Sequence, residues 1–448
     1  MLTAFAFAAL ISSQATEVTP QARPEAKLIQ DKGLTELGAY RYLTTLTTKI
    51  GGRLSGSPQA AKAVDWAEAE FKMIGLSNVR RVPCMVPHWV RGKKERAELI
   101  TPSGTAALSI CALGGSVATP VGGLEAEVVE VHSLEEARNL GSLGKGKIVF
   151  FNRGFDPKLA NTFAAYGGAV DQRGRGAAEA VKSGAVGVLV RSMTLATDDA
   201  PHTGAMGYGA GDKIPAAALG IQSAERLHAA LVKGKVIVRF EQSCKNLPDV
   251  PSASVTGDLV GSEHPQQVVV VGGHLDSWDL AQGAHDDGTG ITGAMEAVRL
   301  VHELGLKPKR TIRLVAFMNE ENGTRGARAY AAQEKASQEV SYAAIESDSG
   351  GFMPRHFGVT ASKLASVQPW EPSLRQFGID GFEEGGGDAD IDPLGPLGAT
   401  LFSLVPDDAR YFDYHHSRND TLDKVNPREL EFGAMAMAEL LWLLTEKI

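Results

Sequence analysis

Residues 283–290 read Gly-Ala-His-Asp-Asp-Gly-Thr-Gly. Two carboxylates, Asp286 and Asp287, stand side by side among small and apolar neighbours, behind His285 and ahead of two glycines. Burying like charges together is costly. The pair is therefore either an exposed Asp-Gly turn or the seat of something doubly positive. Further acids and histidines occur as His274-Leu275-Asp276, Asn319-Glu320-Glu321, Glu346-Ser347-Asp348 and His415-His416. Each has an ordinary reading on its own: a polar pair, a solvated helix start, a surface histidine doublet. Taken together they differ from scattered surface charge, because the first three each close an apolar run.

Those runs predict the elements that would position the acids. Residues 266–274, QQVVVVGGH, form a nearly continuous apolar run, as in a strand buried on both faces. RTIRLVAFMNEE (310–321) and YAAIESDSGG (342–351) repeat the pattern. Helical periodicity separates them: Ile291, Met295, Val298 and Leu304 share a face in 288–305, a second helix follows in 324–336, and the last runs from about Pro427 to Leu444. This alternation predicts an α/β fold with a mostly parallel mixed sheet and helices on both faces. In such sheets ligands bind beyond the carboxyl ends of the strands, which is where these acids and histidines fall.

Upstream, residues 37–52 and 57–75 read as helices, the second capped by Ser57-Pro58 and stopped at Gly75. Residues 111–250 are Gly- and Ala-rich, with short strands at 147–154 and 185–192 around a helix, and read as a separate α/β module inserted between 36–110 and 251–448. The stretch 245–255, with Pro248 and Pro251, reads as its linker. Residues 18–35 are polar, contain Pro20 and Pro24, and read as a loosely attached leader arm. Residues 1–17, apolar from Leu2 to Ile11 and then small and polar, predict a signal peptide, hence a secreted or periplasmic protein. No later stretch reads as a membrane span.

Composition narrows the function classes. The chain has 448 residues, 43% hydrophobic and 22% charged, an ordinary globular balance. Its formal net charge of -8 argues against nucleic acid as a partner. Cys84, Cys111 and Cys244 are scattered and make no CxxC pair, so neither a zinc ribbon nor a thioredoxin-like site is indicated.

Imidazole and carboxylate ligands suit zinc, and also cobalt or manganese. One bridging carboxylate can hold two such ions about 3.5–4 Å apart, and their charge makes adjacent buried acids tolerable. Asp276, two residues after His274, stands where it could orient that imidazole.

The stretches GGHLDSWDLAQGAHDDGTG, NEENGTRGA, ESDSGGF and HHSRNDTLDKV resemble the co-catalytic di-zinc exopeptidases. GGRLSGS (51–57), VPHWVRG (86–92), PHTG (201–204) and KRTIRL (309–314) extend the resemblance over about residues 38 to 446. It implies the zinc exopeptidase fold, with 111–250 as a protease-associated insert, two Zn2+ ions, a peptide substrate and a homodimer. It also implies roles. His274, Asp286, Glu321, Asp348 and His416 are metal ligands, with Asp286 bridging and Glu321 and Asp348 on different ions. Glu320 is the general base and Asp276 orients His274. A cis peptide joins Asp286 to Asp287, which acts as the bridging residue's backbone partner. Many relatives have a tyrosine where this chain has His415, so His415 is expected to donate to the reaction's oxyanion. The acidic loop GGGDADIDPL aligns best at Asp390, with Asp388 and Asp392 beside it, and reads equally as a substrate loop or a solvated turn. His285 matches no ligand. The implied activity is hydrolysis of dipeptides or short peptides. The alternatives are an aminopeptidase on longer peptides, a glutaminyl cyclase-like transferase with one zinc, and a non-catalytic receptor-like domain.

Overall fold

The computed structural model of the protein describes residues 23–446. The expected signal segment, 1–17, lies outside the described residues. Two eight-stranded sheets organise the chain.

The first sheet runs Ser77–Val90, Lys245–Leu259, Arg310–Phe317, His264–His274, Val340–Glu346, Thr400–Pro406, Pro354–Val359 and Gly381–Glu384 from edge to edge. Its four central strands, Arg310–Phe317 to Thr400–Pro406, pair in parallel, and antiparallel strands flank them. The valine run explains the centre. Val269 and Val271 pack on one face against the helices Thr289–Glu303 and Pro427–Glu446, through residues such as Met295, Val298 and Met435. Val268 and Val270 pack on the other face with Ala327 and Tyr330 of the helix Arg325–Ala336. A strand with helices on both sides must be apolar at every position, so this one reads as a run without alternation.

The second sheet begins at Glu95–Thr101 and Gly104–Leu108, earlier than the expected start of the insert at residue 111. Glu95–Thr101 pairs with Ile237–Gln242, which closes the module from its far end. The expected linker at 245–255 is instead part of the strand Lys245–Leu259, paired antiparallel with Ser77–Val90. Its prolines are tolerated because Arg310–Phe317 pairs only with Val255–Leu259, leaving one side of 245–251 free of a ladder.

The expected leader arm also differs. Pro24–Glu36 is a helix with Pro24 in its first turn, and it packs on Pro427–Glu446. Ala26, Ile29 and Gly33 are its buried positions, a sparse face hidden in a polar sequence. Ser57 caps the helix Pro58–Ile74 by accepting from the Ala60 amide, and Gly75 ends it in the left-handed region, as expected. All three cysteines are free. No described helix is long and apolar enough to cross a membrane.

Candidate metal centre

The parallel strands deliver the site. His264–His274 ends on His274, Arg310–Phe317 leads into Asn319-Glu320-Glu321, and Val340–Glu346 leads into Asp348. The turn Ala284–Gly288, between the first of these strands and its helix, presents Asp286. The peptide between Asp286 and Asp287 is cis. His415 and His416 follow the short helix Tyr411–Tyr414, with His416 in the left-handed region at φ 59°.

The two oxygens of Asp286 face two different groups of side chains. Oδ1 lies 3.2 Å from His274 Nε2, which is 3.7 Å from Asp348 Oδ1. Oδ2 lies 3.3 Å from His416 Nε2, which is 3.0 Å from Glu321 Oε2. The other Glu321 oxygen accepts the Trp278 amide at 3.0 Å, leaving Oε2 free to face the histidine. Buried His274 Nε2 and Asp286 Oδ2 have no hydrogen-bond partner. Two imidazoles and three carboxylates aimed at one another in this way fit divalent cations.

The electrostatics point the same way. Burial, reinforced by the neighbouring carboxylates, raises Glu321 well above the usual carboxyl range. Burial also raises Asp348, against the pull of His274. Glu320 is pushed up to about 7, chiefly by burial. Asp286 is the exception: burial pulls upward, but contact with His274 and the charges of His274 and Arg53 keep it low. His274 is raised far above its ordinary value: burial opposes the shift, but Asp286 and Asp348 outweigh it. A proton on His274 thus stands between two carboxylates where a metal's charge would serve better. Metal binding would release it.

The surrounding residues hold these side chains in place. Asp276 differs from expectation. Its backbone carbonyl, not its carboxylate, meets His274 Nδ1, at 3.0 Å, and the carboxylate is 4.0 Å away. The carboxylate instead accepts the Asn319 and Glu320 amides at 2.7 and 3.1 Å, fixing the loop that carries Glu320. Asp287 accepts the His274 and Gly290 amides, each at 3.0 Å, so both its oxygens are engaged by backbone. Asp390 is fully buried, and neither of its carboxylate oxygens has a partner. Its amide and that of Ile391 both donate to Glu346, so the loop turns inward and is not a solvated acidic turn. Asp388 is half-buried and Asp392 exposed. His285 is stacked between Phe352 and Tyr414, and its Nδ1 accepts the Gly351 amide.

Several contributors escaped the sequence reading. Asp420 accepts the His285 and Asp286 amides at 2.6 and 3.2 Å, gripping the backbone that carries Asp286. Arg53 is fully buried and donates to the carbonyls of Leu275, Gln282 and Gly283, the two ends of the loop between His274 and Asp286. Tyr411 donates to Asp348 at 3.4 Å. Asn319 takes a left-handed φ of 73°, and its side-chain amide donates to Ser55. Arg53 and Ser55 lie in GGRLSGS and Asp420 in HHSRNDTLDKV, so the motifs flagged the segments without assigning these residues.

A cleft of about 240 Å³ opens onto the centre, lined by Asp286, Glu320, Glu321, Asp348, His415 and His416. Its opposite wall comes from the second-sheet module, through Phe163, Tyr166 and Arg173. His415 stacks on His416 at 3.5 Å between ring centroids, and burial lowers it to about 3, so it faces the cleft as a neutral N–H donor.

The sequence model of Peptidase family M28 matches residues 254–441. Carboxypeptidase Q of Bos taurus is 35% identical over 412 residues, covering 91% of this chain and 85% of that protein. The crystal structure of a Peptidase M28 precursor from Shewanella amazonensis SB2B matches with a TM-score of 0.90 and 34% identity, over 94% of this chain and 96% of that one. BSAP, a zinc aminopeptidase from Bacillus subtilis, shares the fold at a TM-score of 0.62 and 20% identity, over 92% of this chain and 96% of its own.

Proposed function

Because the chain belongs to Peptidase family M28 and is a metallopeptidase, we propose that it is an exopeptidase with two Zn2+ ions that hydrolyses dipeptides or short peptides. The observation that carries the reading is Asp286, whose two oxygens face separate ligand groups 3.2 and 3.3 Å away. His274 and Asp348 would hold one ion, Glu321 and His416 the other, and Asp286 both. Co2+ or Mn2+ could occupy the same donors. Such ions supply a water acidic enough to ionise near neutral pH and polarise the scissile carbonyl.

The chain's own groups do the rest. Glu320 is held by the Asp276 carboxylate through its own amide and that of Asn319, and it lines the cleft without belonging to either ligand group. Its carboxylate accepts the proton of the attacking water and returns it to the leaving amine. A general base works best with a pKa near the working pH, and burial moves Glu320 in that direction. His415 donates an N–H to the oxyanion that develops on the carbonyl. The test is metal analysis of the purified protein combined with a peptide series of increasing length. Two metals per chain and a rate that falls with length support the reading. A metal-free protein without peptidase activity would overturn it.

A further inference from the structure

The two groups of side chains around Asp286 are not supported alike. His274 is oriented from its own sheet, by the Asp276 carbonyl at 3.0 Å. His416 is held from the second-sheet module. The Thr203 amide donates to the His416 carbonyl at 2.8 Å, and the Thr203 carbonyl lies 3.4 Å from His416 Nδ1. That carbonyl is an acceptor for the proton that Nδ1 carries when Nε2 is left to ligate. Nη1 of Arg173, also in the module, lies 3.3 Å from the same nitrogen. Glu321, beside His416, accepts the Trp278 amide. The Trp278 ring stands edge-on to His416 with centroids 5.7 Å apart. Gly114 of the module packs on that ring so closely that a Cβ there would overlap it.

One residue ties these supports together. Arg91 follows the strand Ser77–Val90, where the chain crosses from the first sheet to the second, and it is buried. Its Nε and Nη2 donate to Asp279 at 3.0 and 2.7 Å, and Nη1 donates to the Ala112 carbonyl at 2.7 Å. Asp279 is the neighbour of Trp278 in the loop between His274 and Asp286. The Ala112 carbonyl also accepts the Thr203 hydroxyl at 2.8 Å, and Arg91 Nη2 reaches that hydroxyl at 3.4 Å. Arg91 therefore joins the loop that holds Glu321 to the loop that holds His416. A guanidinium forked onto a carboxylate fixes direction as well as distance. Removing one partner of such a buried pair is strongly unfavourable, so the junction has one geometry.

We propose that Arg91 is a positioning residue for the metal centre: it seats the second-sheet module so that Thr203 and Trp278 hold His416 and Glu321 ready for a divalent cation. Affinity for that cation depends on how the module is seated, and affinity for the one at His274 and Asp348 does not. This rests on the two-metal reading above and adds the dependence of one ion on the module. Partners that orient a ligand from behind are typically worth 10- to 100-fold in metal affinity.

The test is Zn2+ titration of the metal-free protein against a chromophoric chelator, on the wild type, Arg91→Gln and the milder Asp279→Asn. The variants should bind one ion as the wild type does and the other roughly 10- to 100-fold more weakly, with the smaller effect in Asp279→Asn. Co2+ loading should show the same split, with the visible spectrum altered for one of the two equivalents. Equal weakening of both ions, or no weakening, would overturn the assignment. Hydrogen exchange on the metal-free proteins tests the hold on His416 without any cation. Residues 411–418 should exchange faster in both variants, while 346–352, around Asp348, should keep the wild-type rate. Uniformly faster exchange would reduce Arg91 to a structural role, and unchanged exchange at 411–418 would remove the coupling. If the wild type binds no metal, the two-metal reading fails. Selective exchange at 411–418 would still support the hold of Arg91 on His416.

Discussion

Glu320→Gln separates chemistry from ligation, and its consequences follow from the structure. The substitution keeps the shape and removes only the ability to take a proton. Glu320 is not one of the side chains grouped around the Asp286 oxygens, so metal content should match the wild type. Loss of a general base costs roughly 10²- to 10⁴-fold in kcat, or about 3–5 kcal/mol of transition-state stabilisation. A second signature belongs to the metal-free protein. Burial raises the Glu320 carboxyl to about 7 from an ordinary 4.5. A raised carboxyl contributes stability that is complete below its unfolded value and is lost as the pH climbs through the folded one. For this group the penalty at pH 8 is on the order of 3 kcal/mol, and Gln does not incur it. Metal-free Glu320→Gln should therefore melt several degrees above metal-free wild type at pH 8 and together with it near pH 4. Peptide turnover, metal analysis and scanning fluorimetry at the two pH values check the three parts. Near-normal turnover refutes the role of base. Loss of metal together with turnover makes Glu320 a ligand instead. Identical melting at pH 8 refutes the burial argument.

Chelation should lower the melting temperature, and the gap between loaded and stripped protein should widen as the pH rises. Burial raises the Glu321 and Asp348 carboxyls of the stripped form, so their ionisation costs stability there that bound metal would offset; ligand at 1,000 times its Kd stabilises by about 4 kcal/mol. A gap independent of pH would argue against a carboxylate cage. Asp420→Ala strands the His285 and Asp286 amides, costing about 1–3 kcal/mol each, and should weaken metal affinity about 10- to 100-fold in a chelator competition; unchanged affinity would show that the bridging residue needs no such grip. Away from the centre, burial and then neighbouring Glu296 push Glu431 up to about 9. Its contribution is lost as pH rises toward that value, so Glu431→Gln should melt above wild type at pH 8.5, by about 2–4 °C for each 1 kcal/mol recovered, and level with it near pH 4.5. Equal melting at both pH values would refute that.

The family comparison and the fold agree with what the sequence allowed. The centre of the sheet was legible because a strand covered on both faces has no solvent side to encode, so Val268–Val271 appear as an unbroken run. The chemistry was legible for a related reason. Parallel strands all point their carboxyl ends to one edge, so His274, Glu320, Glu321 and Asp348, each placed just after a run, had to come near one another. The edges were harder to read. Residues 245–251 carry prolines and still pair, because only one side of the strand is used there. Pro24–Glu36 buries just three positions and looks polar overall.

The sequence by itself determined the side-chain inventory, the central strands and the edge where acids and histidines collect, since these follow from local periodicity and strand direction. The tertiary structure alone decided which atoms of those residues do what. It gave His274 the backbone carbonyl of Asp276 and assigned the carboxylate to the Glu320 loop. It brought Arg53 to carbonyls more than two hundred residues away, Asp420 to the amide of Asp286, and Arg173 from another sheet's helix to the cleft. Such contacts are made across the fold by hydrogen bonds of fixed length and direction, and no spacing along the chain encodes them.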